Sequence, residues 1–334
     1  MVLGQCSACG LQEHHALGAR LFQQLGGSPL LVRWEATVKQ RTADSARAWR
    51  RGLEEAGPAR FMPEGGPAVA SCEDDLFAFS KPRFFDTCAA FREHKGRAVQ
   101  AKRWAETNSS LPHIGRRILT ERILERPPAT APGDGDLRTV ALSVFELCQR
   151  DVDVGAYDGS YWCELLREED AAVLSTKDVL KHCFLHGPCA REPLATLQAC
   201  PLLAALRDFL ARDDEPAASD EETNARKEVP VDALFAHAET LTPLLTLLGL
   251  LPQAEDFHCL PLSANLRVDV RRCQGGPVAL AWLNEQPVSW PGCGVECPLA
   301  RLLALLDDTL RPAAGCGLAG FRAVCGSLSC GESA

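Results

Sequence analysis

The first clear hydrophobic pattern in the chain is the stripe Leu17, Leu21, Phe22 and Leu25, which recurs at helical spacing among polar residues. It predicts an amphipathic helix over 12–25 that stops at Gly26-Gly27, with Gly18 lying off the stripe. The apolar run 30–37 then reads as a strand and 44–53 as a helix, with the basic residues Lys39 and Arg41 in the connection between them. In α/β folds, ligands sit at such carboxyl ends of strands.

From Cys72 to about Leu210 the periodicity is mostly helical. Phe84, Phe85, Cys88 and Phe91 recur at three- and four-residue steps, and 140–147 and 202–210 continue in the same way. A Pro/Gly-rich loop over 126–135 and an acidic stretch over 212–228 interrupt it. Beyond the acidic stretch, Val229 to Phe235 reads as a strand despite Pro230. His237-Ala238-Glu239 follows, then a helical stripe of Leu241, Leu244, Leu245 and Leu248, with Pro243 in its first turn and Gly249 as its stop. The arrangement strand, His-Ala-Glu, helix places two titratable groups where backbone N–H groups favour anions. The predicted organisation is a mixed α/β core from 1–71 and 229–311, a mainly helical insert over 72–211, an acidic linker over 212–228 and a Cys/Gly-rich tail over 312–334.

Composition narrows the function classes. A chain of 334 residues, 46% hydrophobic, can bury a sizeable core. With 35 Lys and Arg against 44 Asp and Glu, overall electrostatics do not suit a nucleic-acid binder. A few converging cations in one cleft can still hold a polyanion. No apolar run reaches bilayer-spanning length, so no membrane span is expected. Sixteen cysteines suggest an oxidising compartment, yet residues 1–10 have neither the basic nor the apolar region of a secretory signal. The conflict leads us to expect that the protein's true start lies upstream of Met1.

The segment Phe235 to Gly249 closely resembles the His-Ala-Glu motif of the multiple inositol polyphosphate phosphatases, in the histidine-phosphatase clan. A transferring phosphoryl group needs hydrogen-bonding partners on its oxygens, which His237 can give. The leaving alkoxide needs a proton, which Glu239 can donate if burial raises its pKa. The segment Thr37 to Leu53 resembles the family's stretch in which an active-site Arg and a Thr precede Ser-Ala, a further Ala and an aromatic, here Ser45, Ala46, Ala48 and Trp49. The matching Arg is Arg41, whose planar fork suits two phosphate oxygens, and Lys39 is a second candidate phosphate contact. Arg83 to Phe91, Ser143 to Cys163, Leu262 to Arg272 and Trp282 to Glu285 resemble further family segments in the same order, which makes Cys148 with Cys163 a disulfide candidate.

Two departures qualify the resemblance. The clan's Arg-His-Gly-x-Arg motif, whose His attacks phosphorus, does not occur in the sequence, and the helix over 12–25 matches the part of the family that follows it. His14 and His15 sit on that helix and are poor substitutes. In the insert, where the family has a Lys followed by Gly-Tyr-Gly, this chain reads Phe184-Leu185-His186-Gly187-Pro188-Cys189, so a substrate-side lysine is missing. A competing reading is a zinc site at Cys6 and Cys9 with His14 and His15.

The resemblance implies a histidine-phosphatase fold of α/β class and hydrolysis of phosphomonoesters on inositol hexakisphosphate, other inositol polyphosphates and 2,3-bisphosphoglycerate, with no metal or other cofactor. It also implies residence in the endoplasmic reticulum lumen or secretion. The expected partner is a small phosphorylated substrate, not nucleic acid. His237 and Glu239 would be catalytic, and Arg41 and Lys39 would bind substrate. The alternatives are a non-catalytic phosphate-binding or interaction protein, and an incomplete piece of an active enzyme.

Overall fold

The computed structural model describes residues 8–37, 39–62, 90–91, 93, 102–123, 130–153, 158–189, 193–212, 228–251, 258–261 and 263–311. Most of the linker and all of the tail lie outside these, as do Cys6 and the segment 83–89.

The core is built on β1 (Leu30–Ala36), the middle strand of a three-stranded parallel sheet ordered β2–β1–β3, with β2 at Ala59–Phe61 and β3 at Val229–Phe235. Leu30 lies opposite Ala59 on one side and Val229 on the other, and Ala36 lies opposite Phe235. Among the described residues β3 pairs only with β1, and an edge strand tolerates the missing N–H of Pro230. Alternate residues Leu30, Val32, Val229, Val231, Ala233 and Phe235 share one face. There they pack with Phe22 of α1 (Ala8–Gln24) and with Trp49 and Leu53 of α2 (Gln40–Ala56). Each large side chain buried this way contributes about 1.5–3 kcal/mol.

The two helices cross at glycine on both sides. A Cβ on Gly18 would run into the Trp49 carbonyl oxygen, and one on Gly52 into that of His15. Gly18 therefore lies off the apolar stripe because it is a point of backbone contact. The predicted stop at Gly26-Gly27 holds, both residues having positive φ.

Between β2 and β3 run α3 (Lys102–Ile118), a π-turn at Leu119–Ile123, α4 (Asp134–Asp153), α5 (Tyr161–Glu164), α6 (Glu168–His186) and α7 (Pro193–Arg212). Leu111, Ile118, Val144, Phe145 and Leu174 form their own core. The Cys148–Cys163 disulfide expected from sequence is present and joins α4 to α5. Cys183–Cys189 and Cys293–Cys297 are also bonded.

After β3 come α8 (Ala238–Leu247), the antiparallel strands β4 (Leu266–Cys273), β5 (Gly276–Leu283), β6 (Gln286–Val288) and β7 (Cys297–Pro298), and α9 (Leu299–Leu310). Leu203, Leu244, Ala281, Trp290 and Leu302 bring α7, α8, the second sheet and α9 into one core. Past the end of β5 the chain turns at Asn284 and Glu285, both at positive φ. Glu285 is unusual in that position. Its carboxylate accepts two hydrogen bonds from Arg20 of α1, at 2.9 and 2.8 Å, which ties the second sheet to the first layer.

Two helix starts differ from expectation, and both differences matter at the site. α2 begins at Gln40 rather than 44, so Arg41 stands in its first turn and not in a loop. α8 begins at Ala238, so Pro243 is inside the helix rather than in its first turn.

Candidate active site

The register of β1 with β3 brings two chain exits together. Thr37 N–H donates to the Phe235 carbonyl at 3.1 Å, so Thr37 and His237 leave the sheet side by side. Past Thr37, the Thr42 hydroxyl reaches the Lys39 carbonyl at 2.7 Å and the Thr37 carbonyl at 3.0 Å, which folds the start of α2 back onto the strand end. Past Phe235, His237 caps α8 with its carbonyl, which accepts from Thr240 N–H at 2.9 Å and Leu241 N–H at 3.0 Å.

The His237 side chain is 8% exposed and bonded at both ring nitrogens. Nε2 lies 3.0 Å from Thr37 Oγ1, which in turn lies 2.7 Å from Thr42 Oγ1. Nδ1 lies 3.0 Å from a terminal nitrogen of Arg41. The candidates Arg41 and His237, far apart in sequence, are therefore in direct contact. Lys39 is exposed and contributes its backbone carbonyl to this turn.

Glu239 is half-buried on the first turn of α8. Burial pushes its carboxyl up. A hydrogen bond from its own backbone N–H and the positive fields that His182, His186 and His237 exert when protonated outweigh that, so the net direction is down. The condition read from sequence, that burial raises this pKa, is therefore outweighed in the folded chain. His182 and His186 are one turn apart on α6, with ring centroids separated by 5.9 Å. His186 is buried, with Nδ1 at 2.8 Å from Gln198 Oε1 and its ring stacked on Phe91 at 6.0 Å.

This is the stretch in which a substrate-side lysine was missed; the disulfide of Cys183 with Cys189 closes it, and it brings two imidazoles to Glu239 instead. Their four-residue spacing on a helical run was the available sign. Nothing in the sequence connected them with Glu239, because the packing of α6 on α8 is tertiary.

His14 and His15 have other partners. His14 meets the Phe235 ring edge-on at 6.4 Å, Trp49 meets the same ring at 5.4 Å, and burial lowers the His14 pKa. His15 pairs with Glu55 at 2.9 Å. Cys9 is exposed, and among the described residues no three His, Cys, Asp or Glu side chains gather as metal ligands.

Comparison with known proteins gives the family of the chain. The model of the histidine phosphatase superfamily (branch 2) matches residues 1–276. The chain belongs to that superfamily. Among its relatives, multiple inositol polyphosphate phosphatase 1 of Gallus gallus is 29% identical over 262 residues, covering 76% of this chain and 51% of the relative. The Homo sapiens protein of the same name is 27% identical over 227 residues, covering 65% and 42%. The chain thus spans about half the length of the curated relatives it matches.

Solved phytase structures share the fold at low identity. Hafnia alvei phytase in complex with tartrate superposes with a TM-score of 0.56 at 14% identity over 94% of this chain and 89% of the other. Klebsiella sp. ASR1 phytase gives 0.56 at 16% over 93% and 87%. The expected mixed α/β histidine-phosphatase fold is therefore the observed one.

Proposed function

We propose that this chain carries the phosphate-recognising and proton-donating part of a phosphomonoesterase acting on inositol hexakisphosphate, other inositol polyphosphates and 2,3-bisphosphoglycerate. The observation that supports this best is the contact of Arg41 with His237 at 3.0 Å beside Glu239, in a member of the histidine phosphatase superfamily. Arg41 supplies the fork for two phosphate oxygens and His237 a third polar contact. Glu239 delivers a proton to the leaving oxygen. Because its carboxyl lies below the usual range, that proton is present mainly in acid, and turnover rises as pH falls. His182 and His186 of α6 would stand on the side of the ring phosphates. Three disulfides among the described residues fit an oxidising compartment such as the endoplasmic reticulum lumen or the cell exterior.

A second reading is favoured by one observation. The sequence contains no Arg-His-Gly, and covalent phosphoryl transfer needs a nucleophile in addition to a clamp and an acid. On that reading the chain binds phosphorylated ligands without cleaving them. Incubation of the purified chain with inositol hexakisphosphate separates the two. Phosphate release that His237→Ala abolishes establishes the phosphatase, binding by calorimetry without release establishes the binding protein, and neither result refutes both.

A further inference from the structure

The hydrogen-bond chain that ends on His237 has one consistent assignment of protons. The single hydroxyl hydrogen of Thr42 faces two carbonyl oxygens, Lys39 at 2.7 Å and Thr37 at 3.0 Å, and both can only accept. Thr42 Oγ1 therefore accepts, at 2.7 Å, the hydroxyl hydrogen of Thr37. With its hydrogen used, Thr37 Oγ1 can only accept from His237 Nε2 at 3.0 Å, so Nε2 carries a hydrogen. At the other side of the ring a guanidinium has no acceptor. Arg41 donates to Nδ1 at 3.0 Å, and that nitrogen carries none.

We infer that Thr37 and Thr42 are positioning residues that hold His237 as a neutral imidazole with a bare Nδ1, and that an arriving phosphate group draws Arg41 off this nitrogen and binds with uptake of a proton. The inference rests on the reading of this site as a phosphate site. Arg41 is exposed whereas His237 is buried, so the guanidinium is the partner that can move. A dianionic phosphate oxygen cannot face a bare ring nitrogen, since both are acceptors. A proton from solvent must stand between them, on Nδ1 or on the phosphate, while the N–H groups of Arg41 turn to the other oxygens. The only bond made is the N–H or O–H bond to that proton, which water or the buffer acid gives up, and no phosphorus–oxygen bond changes. Among the described residues, the charged or titratable groups that face this ring include Arg41 from α2 and Glu239 from α8, and His182 and His186 from α6 act in turn on Glu239. The threonines are neutral, so their part is to orient the ring.

Long-range ¹⁵N NMR of the whole chain, without ligand at about pH 8, reads the tautomer directly. The expected result is Nε2–H for His237, kept in Thr42→Ser and lost or mixed in Thr42→Val. An Nδ1–H tautomer in the unsubstituted protein overturns the relay, and that outcome requires no variant to fold. Calorimetry with inorganic phosphate, in buffers of different ionisation enthalpy at about pH 8 where phosphate is a dianion, should give a heat that varies with buffer by about one proton taken up per site. A heat independent of buffer overturns the displacement of Arg41. Absence of any phosphate binding sinks the functional reading and the proton uptake together, while the tautomer still decides the relay by itself.

Discussion

Replacing Thr37 by Val tests whether the site is held by the hydroxyl chain or only by the strands. The two side chains are nearly the same size, so packing in the first layer changes little. The loss is specific. Thr37 Oγ1 accepts from His237 Nε2 and donates to Thr42 Oγ1, at 3.0 and 2.7 Å. Thr42 keeps its two carbonyl acceptors after the change and loses only the hydrogen that Thr37 donated to its oxygen. His237, only 8% exposed, is left with an N–H that has lost its acceptor.

An unsatisfied buried donor costs about 1–3 kcal/mol, and Thr37→Ser should cost under about 1 kcal/mol because it keeps the oxygen. Urea unfolding followed by the fluorescence of Trp34 and Trp49, both buried in this layer, measures the difference. In a His237→Phe background the ring N–H is gone, and Thr37→Val should cost at least about 1 kcal/mol less than in the parent. An equal cost in both backgrounds would refute the assignment of the hydroxyl to His237.

Four further outcomes follow from the same structure. His14→Phe should flatten the loss of stability between about pH 7 and 5: burial lowers the His14 pKa, so the folded state binds fewer protons than the unfolded one, and stability falls as pH drops below the ordinary histidine value; thermal melts across that range check it. Replacing His182 and His186 together by Gln removes positive field from Glu239 and should raise its midpoint, moving the titration seen by carboxyl ¹³C NMR to higher pH. Gly18→Ala and Gly52→Ala should each destabilise by about 1–3 kcal/mol or more, since backbone at the helix crossing must move, whereas Gly135→Ala, with open space around it, should not. Arg20→Ala and Glu285→Ala should couple in a double-mutant cycle by about 0.5–1 kcal/mol, a partly exposed bidentate pair being worth little more, and additive effects would show that the tie is incidental.

The parts of this protein legible in sequence are those that depend on neighbouring residues. The helical stripe of 17–25, the strand of 229–235 and the stop at Gly249 follow from periodicities that a single element shows by itself. The pairing of Cys148 with Cys163 came with the family resemblance. The start of α2 was missed because Thr42 bonds backward to Thr37 and Lys39, which extends the helix to Gln40, and apolar spacing does not register such a bond. The net direction at Glu239 was not legible for a related reason. Burial is readable from an apolar context, but the fields of His182 and His186 arrive from a different helix.

The sequence by itself determined which elements form, the family of the fold, and the residue types at the site, because hydrophobic period, glycine stops and a short motif are local and one-dimensional. Tertiary structure alone decided that Arg41 touches His237, that two threonine hydroxyls fix that ring, that the insert supplies imidazoles to Glu239, and that Gly18 and Gly52 are contact points. Each of these joins residues on separate elements. Hydrogen bonds and fields act over a few ångströms, and only the folded register of β1 against β3 and the packing of α6 on α8 bring those distances about.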